Sequence, residues 1–550
     1  MMENQKIKFK RTISLVRILI KYGFKELLIR SQFSTLVSSV EAETAAVTTS
    51  AGLTVYERIR MVLEELGPTY VKFGQAFSSR EDLLPVEMII ELRKLQDKVE
   101  PEEMDIMALI ADELNIDTAA FFEYIQAVPF ASASISQVYK AGLKNGQEVI
   151  LKVRRTGIRE VVTADMLIMK DVAKLLTSYS AVFRQVNLVE VLEAFEQSIF
   201  QELSFLNELA NIERFSRNFK GNNSIYVSKV YPALSNDTVL CMEFIDGIKI
   251  TALNRLLEMG LDPEAIARRG LDLYLKQVLE HGFFHADPHP GNLLVLKSGQ
   301  LSFIDFGSMG NITPIEKELL EDLISHFMSQ DSRRLIGTLK KMAIRFDIKD
   351  EGKLEKDIQH FFNLLDGASL QHIDVKEVLG RFSAILNENE ILMPAHLYLL
   401  VRGIVLIEGI GRALIPDLNI IESLKPYIFQ IAMRRLSPEN LKKSGIKLLN
   451  TLNDSLHTIP DEIQSVISKL NNGELKVVQE VKDMPGIMQQ FYKGIGSIVL
   501  AIIIAGLLIS SAVLVLADHP PFWKGIPVTA IISFLFSVLL CLVLVIKRKP

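Results

Sequence analysis

The stretch HGFFHADPHPGNLLVLKSGQLSFIDFG, from His281 to Gly307, constrains this chain more than any other. Its two short apolar runs, Leu293 to Leu296 and Leu301 to Ile304, flank the turn residues Ser298 and Gly299, a pattern that predicts a β-hairpin. Such a hairpin holds Asn292 at its entry and Asp305 at its exit, close together in space. Asp287 stands five residues before Asn292, and Asp305 thirteen after it. A tripeptide such as Asp-Phe-Gly recurs by chance and alone marks only a turn after a strand. The spacing to Asp287 and Asn292 gives it weight.

In kinase-like phosphoryl transfer, one carboxylate orients the attacking hydroxyl or water, while an amide and a second carboxylate hold Mg²⁺ against the phosphates of ATP or ADP. Asp287 is the candidate for the first, catalytic role, and Asn292 and Asp305 are the candidates for the metal. A rival reading takes His281, His285 and His289, spaced by fours, as zinc ligands on a helix. Pro288 and Pro290 interrupt the helix which that spacing requires.

Upstream, Asn145-Gly146 separates two β-like runs and predicts a second hairpin. In its second run Val149, Leu151 and Val153 face one way and Ile150 and Lys152 the other. A small-residue loop, Ala131 to Ser134, precedes this hairpin, and a glutamate-rich segment predicted helical from Asn187 to Phe219 follows it. That is the order in which a kinase N-lobe presents its phosphate loop, strand lysine and helix glutamate. Glu202 and Glu208 lie six apart, so on one helix they point roughly 120° from each other. Glu208 is assigned to Lys152, and Glu202 to something outside the lobe. VLCMEFIDGIKI reads as a strand running to a hinge at Gly247, where the backbone of Glu243 and Ile245 would meet an adenine ring. After Gly307, Thr313, Pro314 and Glu316 form the capping box of a new helix, leaving no room for a long activation segment on which a peptide could lie.

The 49% hydrophobic content exceeds that of a typical soluble chain, and the excess is local. Ile495 to Leu516 and Ile526 to Ile546 are uncharged runs of 22 and 21 residues, each long enough to span a bilayer. With Lys493 before them and Lys547, Arg548 and Lys549 after, they predict a transmembrane α-hairpin with both ends cytoplasmic. A net charge of -5 argues against nucleic-acid binding. Cys241 and Cys541 are too few and too far apart for a disulfide framework, which fits a reducing compartment. The first thirty residues carry eight Lys or Arg but no signal-peptide core. That basic segment either rests on an anionic membrane surface or lays its apolar side on the main body.

With these residues in hand, the chain resembles the UbiB-type atypical kinases, a protein-kinase-like family tied to ubiquinone biosynthesis. The resemblance rests on KFGQ at Lys72 to Gln75, ASASISQV at Ala131 to Val138, HADPHPGN at His285 to Asn292, and DFG at Asp305 to Gly307. It implies an α+β, bilobal kinase-like fold with a helical extension that carries Lys72 and Gln75 over the active site, with Glu202 as the partner of Lys72. The expected segments are a basic N-terminal stretch (1–50), the extension (51–125), the N-lobe (126–247), a helical C-lobe (248–480) and two transmembrane helices (481–550). The nucleotide-binding set is Ala131, Ser132, Ala133, Ser134, Lys152, Glu208, Glu243, Ile245, Lys72, Gln75 and Glu202.

One departure stands out. The family commonly has Glu-x-Asp where this chain has Glu202-Leu203-Ser204, and a serine carries no charge to grip Lys72 or a cation. The Cβ atoms of Ala131 and Ala133 restrict how closely the loop backbone approaches phosphate, so an altered nucleotide preference or slow turnover is expected relative to a glycine loop. Unchanged ATP and ADP affinities in Ala133→Gly would count against this.

The resemblance further implies a multi-pass protein of the bacterial cytoplasmic (inner) membrane with its catalytic domain cytoplasmic, using ATP and Mg²⁺ on lipid or quinone-like intermediates. Expected partners are those intermediates, the membrane, quinone-biosynthesis enzymes and a second copy of the chain. The alternatives are a protein kinase acting in trans and a non-catalytic nucleotide-binding scaffold. Residues 320 to 480 show mostly amphipathic helix and no constellation of chemistry-bearing residues.

Overall fold

In the computed structural model, the described residues are 2–29, 36–37, 52–78, 84–95, 100–179, 188–348, 350–367, 375–416, 426–427, 429–431, 433, 502–516, 520–523 and 526–546. The chain divides into two compact units, Met1–Asn440 and Leu441–Pro550.

The first unit opens with helices α1 (Met2–Lys21), α2 (Val55–Leu66) and α3 (Pro68–Phe77). Thr54 and Glu57 form a capping box that starts α2, and Pro68 starts α3 at the position where a missing N–H costs nothing. Helix α1 buries Leu15 and Ile18, with Tyr22 just after it, in one cluster with Val162 and Met166. Its Arg11 binds Asp165 at 2.7 Å, and its Lys8 binds Asp171 at 2.9 Å. Of the two readings of the basic segment, the structure shows the helix laid on the main body.

A sheet follows, built from β1 (Phe122–Ile125), β2 (Ala131–Ser132), β3 (Ser136–Leu143), β4 (Glu148–Arg154) and, further along the chain, β5 (Val239–Glu243), in the order β1-β3-β4-β5 with β2 on β3. The Asn145-Gly146 turn closes the β3–β4 hairpin, and Gly146 adopts φ 81°, a conformation that glycine adopts without cost. Val149, Leu151 and Val153 are fully buried and pack with Tyr139, Ala141 and Cys241. Burial pushes the Cys241 thiol up to about 12, as expected of an inert core cysteine.

Between β4 and β5 run α4 (Ile158–Tyr179), α5 (Leu188–Glu202) and α6 (Phe205–Asn218). The sequence predicts one helix from Asn187 to Phe219, but the structure breaks it at Leu203 and Ser204. Ser204 Oγ donates to Asp237 Oδ1 at 2.5 Å, and Arg154 of β4 donates to the Leu203 carbonyl at 2.8 Å, so the break is held by the sheet and by the turn that leads into β5.

The C-lobe comprises β6 (Ile248–Lys249), α7 (Pro263–Leu275), β7 (Phe283–His285), β8 (Leu293–Val295), β9 (Leu301–Phe303), β10 (Met309–Asn311), α8 (Pro314–Met328), α9 (Val375–Glu388) and α10 (Ala395–Leu414). Strands β6, β8 and β9 form one small sheet, and β10 pairs with β7. Tyr274, Phe284 and Phe306 are wholly buried at the centre of its core. Each such side chain contributes roughly 1.5–3 kcal/mol of apolar burial.

In the second unit the structure overturns the transmembrane hairpin, and with it the multi-pass inner-membrane location. Among the described residues no helix is long and apolar enough to cross a membrane. Helix covers 502–516 of the first run, and Ile526 of the second pairs with Trp523 in a two-stranded turn. Helix α11 therefore begins only at Val528 and ends at Ile546.

Candidate active site

The β8–β9 hairpin brings Asn292 and Asp305 to the same end of the small sheet, where the Ile304 amide donates to the Asn292 carbonyl at 3.1 Å. Both residues line a cavity of about 590 Å³ under the β-sheet, together with Ala131, Ala133, Ser134, Lys72, Lys152, Glu202, Glu208, Glu243 and Ile245. Lys152 Nζ donates to Glu208 Oε1 at 2.5 Å and to Asp305 Oδ1 at 3.2 Å. The Phe306 amide donates to the same Glu208 oxygen at 3.0 Å, which ties α6 to the Asp-Phe-Gly turn.

The electrostatics of this trio follow from burial set against pairing. Burial works against the Lys152 charge, yet the two carboxylates hold it above the ordinary lysine range. Burial pushes Glu208 up to about 7 against the pull of Lys152. Desolvation also raises Asp305, but the Lys152 ammonium beside it outweighs this and keeps that carboxylate below its usual range. One cation thus faces two carboxylates, and the Asp305 side chain remains 45% exposed. Oxygen donors from Asp305 and Asn292 beside a surplus of negative charge suit a hard cation, so these residues fit Mg²⁺.

The phosphate-loop candidates are held tightly from behind. The Ala133 amide donates to the Ser136 carbonyl at 2.9 Å, so that N–H is spent inside the loop. Arg155, buried, donates to the Ala133 carbonyl at 3.0 Å and to Ser132 Oγ at 2.7 Å. Ser134 Oγ is buried without a hydrogen-bond partner among the described residues, on the wall where a phosphate oxygen would lie. The Glu243 carboxylate is taken by Tyr226 and by the Lys229 amide, so only its backbone is left to meet an adenine.

His285 is a structural link. The Asp287 amide donates to its Nδ1 at 3.1 Å, which assigns the ring proton to Nε2, 2.6 Å from the Asp305 carbonyl. Burial lowers its pKa and keeps it neutral in that role. The zinc reading fails: both ring nitrogens are committed, and among the described residues no three His, Cys, Asp or Glu side chains are placed to hold a metal.

A second, larger chamber of about 890 Å³ adjoins the first, and Lys72 and Ala133 line both. Asp287, Gln75 and Ser132 line this chamber and not the smaller cavity. The sequence groups Gln75 with nucleotide binding, whereas its side chain donates to the Leu95 carbonyl at 3.3 Å and tethers α3. Lys72 donates to Glu202 at 2.5 Å. Ser204, in place of the family acid, turns instead to Asp237, which is itself paired with Arg154 at 2.9 Å. Gly74 of KFGQ packs where a side chain would strike Leu63, Leu92 and Leu95, so it lets α3 lie flat beneath its neighbours.

Sequence reasoning misses one residue. Arg402 of α10 donates from Nη2 to Asp287 Oδ1 at 2.9 Å. Its only sequence signal is a lone arginine in the apolar run LYLLVRGIVLIE.

Comparison with known proteins agrees with this geometry. Residues 94–339 match the ABC1 atypical kinase-like domain, 358–419 the UbiB helical domain, and 482–548 the ABC1/UbiB kinase-like C-terminal domain. A protein of Pseudomonas entomophila named probable protein kinase UbiB is 33% identical over 77% of this chain and 79% of its own length. The corresponding protein of Azotobacter vinelandii is 32% identical over 76% and 77%. An uncharacterised protein encoded in the hydrogenase 1 5' region of Clostridium pasteurianum is 32% identical over 88% of this chain and 91% of its own. The chain belongs to the ABC1/UbiB family of atypical kinase-like proteins.

Proposed function

We propose that this chain is an atypical kinase or ATPase that spends ATP on a lipid or quinone-like intermediate, in support of isoprenoid quinone biosynthesis. The observation that carries the reading is the pair of adjoining chambers: Lys152, Glu208, Asn292 and Asp305 line one, and Asp287 faces the other. In this reading the nucleotide occupies the smaller cavity. Lys152, held by Glu208, binds its phosphates, and Asn292 and Asp305 hold Mg²⁺, which when bound neutralises charge on the β- and γ-phosphates. Asp287 accepts the proton of an acceptor hydroxyl, or of water, as that oxygen bonds to the γ-phosphorus and the β–γ bridge leaves with ADP. Leu379, Val401, Val405 and Leu406 give the larger chamber an apolar wall suited to a lipid-like acceptor.

Phosphate release by the full-length protein, with and without a quinone-like phenol and beside Asp305→Asn, tests the proposal. Release well above the variant, increased by the phenol, is expected. No release above the variant under any condition sinks the reading and leaves a nucleotide-binding scaffold. Transfer of label to a protein points instead to kinase activity in trans. The short interval between Gly307 and Thr313, filled by β10, weighs against that outcome.

A further inference from the structure

We infer that Arg402, from the helical region beyond the kinase-like domain, is a positioning residue for Asp287, an inference that rests on the phosphoryl-transfer reading above. A protein kinase commonly places a lysine two residues after its catalytic aspartate, and here that position is His289. His289 Nδ1 accepts from the Gly291 amide at 3.0 Å, so the ring is turned into its own loop. The guanidinium of Arg402 stands beside Asp287 instead, arriving from a helix 115 residues away in sequence.

Many exposed ion pairs contribute little, because two flexible side chains must be held together in water. This pair differs in being held by its backbone. Gly403, the next residue, lies where any Cβ would collide with the Tyr274 hydroxyl, so α10 seats tightly on α7. Tyr274 is fully buried and cannot yield. The seat fixes where α10 presents Arg402. Both side chains of the pair are only about one third exposed, at 29% and 32%, on the wall of the larger chamber.

With Oδ1 held by Arg402, the Asp287 carboxylate is fixed in rotation and its other oxygen is left for the acceptor. Arg402 reaches the carboxylate through Nη2 alone, so it is one oxygen of Asp287 that the guanidinium charge holds in place. The helical region thereby completes the catalytic centre.

The test uses the full-length protein and compares Arg402→Ala and Arg402→Lys with wild type and Asp305→Asn. Arg402→Ala is expected to lower kcat for phosphate release about 10- to 100-fold, the scale of a misplaced reacting group. The KM and the equilibrium affinity for ATP should change little, because Arg402 and Asp287 line the chamber that the nucleotide does not fill. Arg402→Lys should recover part of the loss, and guanidinium ion at non-denaturing concentration should rescue Arg402→Ala. An Arg402→Ala protein that turns over like wild type overturns the inference while leaving the phosphoryl-transfer reading intact. Loss of kcat together with ATP affinity, without guanidinium rescue, overturns it in favour of a structural role. Wild type indistinguishable from Asp305→Asn removes the reading and the inference with it.

Discussion

Lys152→Ala is expected to destabilise the first unit by about 3–5 kcal/mol, the usual result of removing one partner from a buried charge pair. Lys152 and Glu208 are 8% and 4% exposed, and without the ammonium Glu208 and Asp305 confront each other across the same cavity. The sign of the pH dependence follows from Glu208. Its folded pKa, about 7 against an ordinary 4.5, contributes stability that is present below 4.5 and lost as pH rises to about 7. Removing Lys152 takes away the main influence pulling that value down, so the window extends upward. The unfolding midpoint of the variant should therefore fall more steeply than wild type between pH 5 and 8. ATP affinity should fall about 10- to 100-fold with the lost charge-assisted contact. Equal pH slopes for the two proteins would contradict this account of the pair.

Gly310→Val should be comparably severe for a different reason. Gly310 pairs with Phe284 across β10 and β7, and a Cβ at Gly310 runs into three atoms of that ring. Phe284 is fully buried, so neither side can give way, and overpacking of about 3 kcal/mol is expected. The strand pair also sets the catalytic loop: the Ala286 amide donates to the Ser308 carbonyl at 3.1 Å, one residue before Asp287. Activity should fall along with stability. Gly337 provides the contrast. It lies within the helix Ser332–Met342 with nothing near its absent side chain, so Gly337→Ala should raise stability by about 0.5–1 kcal/mol. A Gly310→Val protein that melts with wild type would show that the strand pair yields where the packing says it cannot.

What was legible in the sequence was local. The hairpin between Asn292 and Asp305, the Asn145-Gly146 turn and the Thr313 capping box are each set by residues within a few positions, and each forms as read. What was not legible depends on distance. Nothing near Ser204 announces a helix break, because its cause is Asp237, 33 residues on. The basic first helix fits a membrane surface or a protein surface equally until Asp165 and Asp171 are found opposite it. A hydropathy run counts residues without saying where a helix starts, and Ile526 is claimed by a strand partner. Arg402 reads as an oddity in an apolar helix until folding sets it against Asp287.

The break at Leu203 and Ser204 has a mechanical meaning. Glu202 on one side grips Lys72, and Glu208 on the other grips Lys152. Were the two glutamates on one continuous rod, any tug on the extension would be felt by the nucleotide lysine. The joint is instead tied to Arg154 of the sheet and to Asp237 just before β5, so neither helix runs on into the other. The contact of Lys72 with Glu202 is thus carried by α5 and that of Lys152 with Glu208 by α6, on opposite sides of a joint held in place independently of both.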